Sequence, residues 1–261
     1  MADPWAAGLP YERFMGRWSR LVARQFVDWM AAPAGLDWLD VGSGTGALSE
    51  AILARANPAS VRAVDSSEGF VTFLRASLGD RRLSVGVGEA LALPVEPASV
   101  DVAASGLMLN FVTDPAAALR AMQRVLRPGG KLAFYVWDYG GRMDMLRHFW
   151  ACVTARDPAA RNADEAVRFP LCRPEALAQI ARSAGLRLAE VAGLEIAMTF
   201  TSFEDYWLPF LGGQGPAPAY VATLGPVDRH ALAEDVRRRL PFNADGSLHM
   251  TARAWAVRAD H

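Results

Sequence analysis

The chain has 261 residues, 52% of them hydrophobic, with 27 Lys plus Arg against 28 Asp plus Glu and a net charge of −1. That length can bury a sizeable core, and the balanced charge argues against a protein whose main task is gripping nucleic acid or an anionic membrane. No window approaches the roughly eighteen apolar residues of a membrane span.

Met1-Ala2-Asp3-Pro4 lacks the basic start and apolar run of a signal peptide. The two cysteines, Cys152 and Cys172, lie far from metal-like spacing. A cytoplasmic protein without a metal centre is expected. Residues 11–31 read as an N-terminal helical segment with a break at Gly16, and Leu21, Gln25, Phe26 and Trp29 fall at helical spacing as its apolar face. Tyr11, Arg17 and Trp18 sit near the glycine, off that stripe.

From Asp37 strands and helices alternate. Strand signals cover 38–41, 61–64, 83–87, 100–104 and 132–136. Leu48, Ala51, Ile52 and Arg55 mark a first helix, and Phe70, Phe73, Leu74 and Ser77 a second. A third opens on Asp114-Pro115, an N-cap acid with proline at the first helical position. It carries Leu119, Met122, Val125 and Leu126 on one face and is expected to stop at Pro128-Gly129-Gly130. Such repeated units imply a parallel sheet with helices on both faces. After Tyr139-Gly140-Gly141 the pattern becomes irregularly helical over 142–172, with Phe149, Trp150 and Phe169. There follow a helix from Pro174 ending at Gly185, a strand over 186–199, an aromatic-rich stretch over 203–211, a glycine loop over 212–216, a helix over 228–240 and a closing strand over 248–257. The expected architecture is one α/β domain over 1–261. It has a 36–137 core, substrate-side helical cap elements at 140–172 and 200–226, and a seven-stranded, mostly parallel sheet whose last strand is antiparallel.

Trp38-Leu39-Asp40-Val41-Gly42-Ser43-Gly44-Thr45-Gly46-Ala47-Leu48-Ser49 runs from the first strand through the loop into the first turn of the first helix. Glycines there turn the chain tightly and let the backbone lie against a ligand at the helix N-terminus. Two templates compete. The dinucleotide pattern Gly-x-Gly-x-x-Gly/Ala is met loosely by Gly42, Gly44 and Ala47. Asp-x-Gly-x-Gly-x-Gly is met fully by Asp40, Gly42, Gly44 and Gly46. An acid beside the loop would repel a pyrophosphate and attract an ammonium group, so the second template fits better.

This loop resembles motif I of the class I S-adenosylmethionine-dependent methyltransferases. The likeness runs from about residue 36 to 137 through Ala63-Val64-Asp65-Ser66-Ser67, Gly88-Glu89-Ala90-Leu91-Ala92-Leu93-Pro94, Ser99-Val100-Asp101-Val102 and Val125-Leu126-Arg127-Pro128-Gly129-Gly130. The joint order of these pieces is most similar to the small-molecule, quinone-methyltransferase-like branch. The resemblance implies a Rossmann-like fold, S-adenosylmethionine as methyl donor, S-adenosylhomocysteine as product and a small apolar or aromatic acceptor. It also implies that Asp40, Gly42, Ser43, Gly44 and Gly46 hold the methionine end and that Asp65, with Ser66 beside it, takes the ribose hydroxyls. Glu89, where the family usually has Asp, would read the adenine with Ala90, and Ser105 would line the methionine end. Arg17 and Trp18 would close over the cofactor or simply form a structural helix. Tyr11, Asn110 and Trp137 are candidates for the acceptor side, and His148 and Asp138 are candidate bases. His148 reads more readily as a packed or surface histidine, and Asp138 reads equally as a turn cap. The rival readings are a nucleotide-cofactor oxidoreductase and a non-catalytic cofactor-binding module.

Overall fold

The computed structural model describes residues 11–212 and 215–260. Met1–Pro4, and Gly213 and Gln214 of the expected loop, lie outside them. The strands are β1 (Asp37–Val41), β2 (Ser60–Asp65), β3 (Leu83–Val87), β4 (Val100–Gly106), β5 (Leu126–Trp137), β6 (Arg187–Phe200) and β7 (Leu248–Asp260). They form one sheet in the order β3-β2-β1-β4-β5-β7-β6. β1 pairs in parallel with β2 and β4, β2 with β3, and β4 with β5, whereas the last strand runs antiparallel. Trp38, Leu39 and Val41, then Val61, Ala63 and Val64, then Val102 to Ala104, then Leu132 to Val136 are all buried. Such near-continuous apolar runs belong to parallel strands covered on both faces.

The helices Ala47–Arg55 and Glu68–Ser77 follow β1 and β2, and Pro115–Val125 lies between β4 and β5. The Asp114 carboxylate accepts the Ala117 amide at 2.9 Å, as an N-cap acid should. The stop at Pro128-Gly129-Gly130 is corrected: the helix ends at Val125, and these residues lie within β5. Register jumps there from Val100↔Leu126 to Val102↔Lys131, so Arg127 to Gly130 bulge out opposite Asp101. The bulge turns Arg127 onto Asp101 (2.8 Å) and Asp37 (3.1 Å), tying β5 to β4 and β1.

The N-terminal segment also differs from expectation. Glu12–Gly16 forms a π-turn that runs without a break into the helix Arg17–Met30. A Cβ on Gly16 would press on the Glu12 carboxylate, so the glycine admits that side chain and ends nothing. The buried face is Val22, Ala23, Phe26, Val27 and Met30, while Leu21 is 38% exposed and Gln25 is exposed. Phe26 packs on Tyr135 with ring centres 4.6 Å apart.

The described residues divide into two compact units. One takes in 19–136, 171–194 and 254–260 and holds β1 to β4, most of β5 and the helices just described. The other comprises 11–18, 137–170 and 195–253, apart from residues 213 and 214. Its core is aromatic: Phe210 stacks on Phe149 (4.6 Å) and meets Phe14 edge-on (5.3 Å), and the buried Tyr206 hydroxyl donates to the Met145 carbonyl at 2.8 Å. Within it Glu165 is buried, accepts the Trp150 indole N–H, and is pushed by burial up to about 7. Among the described residues no helix is long and apolar enough to cross a membrane, and no His, Cys, Asp and Glu cluster could hold a metal.

The N-cap makes a simple check on the core unit. Asp114→Ala is expected to cost about 1 kcal/mol, read in urea as a lower midpoint at unchanged slope.

Candidate cofactor site

The C-terminal ends of β1, β2 and β4 place the sequence-marked residues on one edge of the sheet, where ligands of open α/β sheets bind. Gly42, Gly44 and Gly46 all take positive φ, at +72°, +52° and +93°. At Gly42 a Cβ would collide with the Met108 side chain, so both backbone angle and space demand glycine. At Gly44 a Cβ would meet nothing within 4 Å, which leaves the loop open on that side. The Gly42 and Ser43 amides donate to the Val64 carbonyl (2.8 and 3.0 Å), and the Gly46 amide closes on the Ser43 carbonyl (2.8 Å). The loop is thereby fixed against the end of β2.

Asp40 is fully buried. Its Oδ2 accepts the Ser49 hydroxyl at 2.7 Å, and its Oδ1, also buried, has no partner. Burial raises its pKa from 3.8 to about 7; the Ser49 hydroxyl opposes the shift, the charge of Asp65 adds to it, and the Ser49 amide opposes it. Ser49 carries no mark in the sequence, because it stands nine residues on, across the loop. Ser43 Oγ, Thr45 Oγ1 and Asn110 Nδ2 are likewise buried without partners. Thr45 is not among the residues the motif marks, although a hydroxyl residue between two loop glycines is a readable signal.

Asp65, 9% exposed, accepts the Gly44 amide on Oδ2 (2.8 Å) and the Ser67 amide on Oδ1 (2.9 Å). Burial raises its pKa, the two amides oppose the rise, and the charge of Glu89 adds to it. Glu89 is exposed and Ala90 half-buried, in a short turn bridged from Glu89 to Ala92. Ser66 is exposed beside Asp65. Ser105 is buried and donates to the Val41 carbonyl at 2.8 Å, clamping β4 to β1 where both strands end.

The remaining candidates fall in the other unit, apart from Asn110, and most carry structural contacts there. Arg17 pairs with Asp205 at 2.9 Å and lies over the Trp18 and Phe200 rings, and Trp18 is buried against Phe200. Tyr11 is half-buried. Trp137 is 2% exposed. The buried Asp138 carboxylate accepts the Gly141 (3.0 Å) and Arg142 (3.1 Å) amides and the Arg253 guanidinium (2.9 Å), so it caps the turn after β5 and ties it to β7. Those donors occupy the lone pairs a general base would use. His148 is half-buried; burial and then the charge of Arg239 lower its pKa, against Asp144.

S-adenosylmethionine fits the core-unit residues. An ammonium group would satisfy the orphaned Asp40 oxygen, the open face at Gly44 admits close approach, and Asp65 keeps lone pairs beyond its two amide bonds. The family model for a methyltransferase domain matches residues 39–134. The chain is 35% identical over 178 residues to a ubiquinone biosynthesis O-methyltransferase of Ralstonia nicotianae, across 65% of this chain and 71% of that protein. It is 36% identical over 118 residues to a ubiquinone/menaquinone biosynthesis C-methyltransferase of Roseobacter denitrificans, across 43% of this chain and 47% of that protein, less than half its length. A Haemonchus contortus phosphoethanolamine N-methyltransferase 2, solved with phosphomonomethylethanolamine and S-adenosylhomocysteine, shares the fold at 18% identity and TM-score 0.54, over 95% of this chain and 56% of that one.

The buried acid gives the free chain a signature. A carboxyl whose folded pKa is raised contributes stability that is full below its unfolded value and lost as pH rises through the folded one. The Asp40 contribution therefore declines between about pH 4 and 7. Asp40→Asn is expected to raise the melting temperature at pH 8 by the equivalent of roughly 2–4 kcal/mol and to change it little at pH 4. Melting curves of the free chain at both values check this.

Proposed function

This chain belongs to the S-adenosylmethionine-dependent methyltransferases, and we propose that it methylates a small apolar or aromatic acceptor, using the core-unit loop to hold the donor. Bound there, S-adenosylmethionine supplies an electrophilic methyl group on a positively charged sulfur. The observation that carries the reading is the orphaned, fully buried Asp40 oxygen beside three left-handed glycines, with a second acid, Asp65, holding the same loop.

Each residue does a distinct job. Asp40 and the backbone of the Gly42–Gly46 loop hold the amino-acid end, with Ser43 and Thr45 supplying hydroxyls. Asp65, with Ser66 beside it, accepts from the ribose hydroxyls by charge-assisted bonds. Glu89 and Ala90 meet the adenine, and Ser105 keeps β1 and β4 in register at the methionine end. The Asn110 amide, buried without a partner, offers a hydrogen bond to the acceptor. A fixed loop of this kind serves in-line transfer by positioning and by excluding water. The oxidoreductase reading falls with the family assignment and with a buried acid where a pyrophosphate would lie.

Relatives carrying O-methyltransferase and C-methyltransferase names motivate hydroxylated and quinol-like aromatic acceptors as the first to try. Incubation with S-adenosylmethionine and a panel of such acceptors is expected to release S-adenosylhomocysteine and methylated product in equal amounts. Donor binding without turnover on any acceptor would favour a non-catalytic cofactor-binding module. Asp65→Ala is expected to weaken S-adenosylhomocysteine binding by about 1.5–3 kcal/mol; unchanged affinity in calorimetry would contradict its assignment to the ribose.

A further inference from the structure

Asp65 bonds to the glycine loop and Asp40 to the helix that the loop opens, and their donors differ. Asp65 holds two backbone N–H bonds, one on each oxygen, and retains some exposure. Asp40 is wholly enclosed, receives the Ser49 hydroxyl on one oxygen, and has nothing on the other. Its register partners in the strands beside β1 are uncharged, Ala63 in β2 and Ala104 in β4. From the helix Ala47–Arg55 the residue that reaches it is Ser49, itself fully buried. Asp65, at the end of β2, is the charged group acting on it, and Glu89 in turn acts on Asp65. Negative charge is thus better supported on Asp65, and Asp40 is the acid that keeps its proton.

We propose that Ser49 is a positioning residue which pins one oxygen of Asp40, turns the other toward the cofactor's ammonium group, and so couples cofactor binding to the loss of one proton from Asp40. The proposal rests on the assignment of this loop to the amino-acid end of S-adenosylmethionine. The balance is simple: the free chain holds Asp40 as a carboxylic acid, the incoming ligand carries its ammonium, and the Asp40 proton leaves to solvent as the ion pair forms. The direction of the shift at Asp40 agrees with a group that still holds its proton near neutral pH. Binding then strengthens with rising pH, up to the range where the ligand's own amino group titrates.

The test is calorimetry of the full chain with two ligands, S-adenosylhomocysteine and methylthioadenosine, the second lacking the amino-acid end. Titrations between about pH 5.5 and 7.5 stay below the amino group's own titration. Buffers of differing ionisation enthalpy count the protons released. For S-adenosylhomocysteine the expected Kd rises toward tenfold per pH unit on the acid side, with about one proton released per ligand bound; for methylthioadenosine it stays flat. Ser49→Ala removes a donor to the anion and is expected to move the S-adenosylhomocysteine profile to higher pH, and Ser49→Thr to restore it. A flat S-adenosylhomocysteine profile without proton release, or the same slope for both ligands, would overturn the coupling. An Ser49→Ala profile that coincides with the wild type would overturn the role of Ser49. If Ser49→Ala does not fold, the two-ligand comparison on the wild-type chain still decides the coupling. Failure of both ligands to bind at any pH would instead overturn the cofactor assignment itself.

Discussion

The hydrogen bond from the Gly44 amide to Asp65 Oδ2, 2.8 Å long, is the constraint on which the site depends. It joins the middle of the β1 loop to the end of β2, and two amides donating to the Val64 carbonyl brace the same join. A loop of three left-handed glycines would otherwise be among the most mobile parts of the chain, since glycine loses the most freedom on ordering. Held this way it becomes a rigid rim from which the helix starts at Ala47. Asp65 therefore serves the fold before any ligand arrives, and it keeps lone pairs beyond its two amide bonds.

The electrostatics follow from that geometry. Placing the loop over β1 encloses Asp40 completely, and enclosure without donors on Oδ1 makes its negative charge expensive. Natural chains keep such groups where a ligand will complete them. Asp138 shows the opposite outcome in the other unit: it is almost as buried, but two backbone amides and Arg253 complete it within the chain. Two buried acids thus differ in that one is completed within the chain and the other keeps an unpartnered oxygen.

Much of the core was legible in sequence because its signals are local. The glycine loop, the Asp114-Pro115 cap and the apolar strands each lie within a dozen residues, and the parallel order follows from their alternation with helices. The errors came where partners are distant or phase is ambiguous. The stripe Leu21, Gln25, Phe26 and Trp29 is out of phase because Trp18, Val22, Ala23 and Val27 offer a second apolar set on the same helix; the buried face turns on Val22 and Phe26. Pro128-Gly129-Gly130 has the composition of a helix stop and is a strand bulge, a distinction made by the pairing of Arg127 with Asp37 and Asp101. Ser49 had no periodic or motif signal, and the saturation of Asp138 depends on an arginine 115 positions away. The acceptor side was the least legible: its candidates are aromatic and charged residues whose packing partners are remote in sequence, so nothing local separates a core ring from a binding ring.

The central claim is that the β1 loop and its two acids hold the cofactor by its amino-acid end and its ribose. A crystal structure of the chain with S-adenosylhomocysteine bound tests it most directly. The account predicts the ligand's amino nitrogen within hydrogen-bonding distance of Asp40 Oδ1 and both ribose hydroxyls on Asp65. A ligand seated elsewhere, or one that leaves Asp40 Oδ1 without a partner, would contradict it.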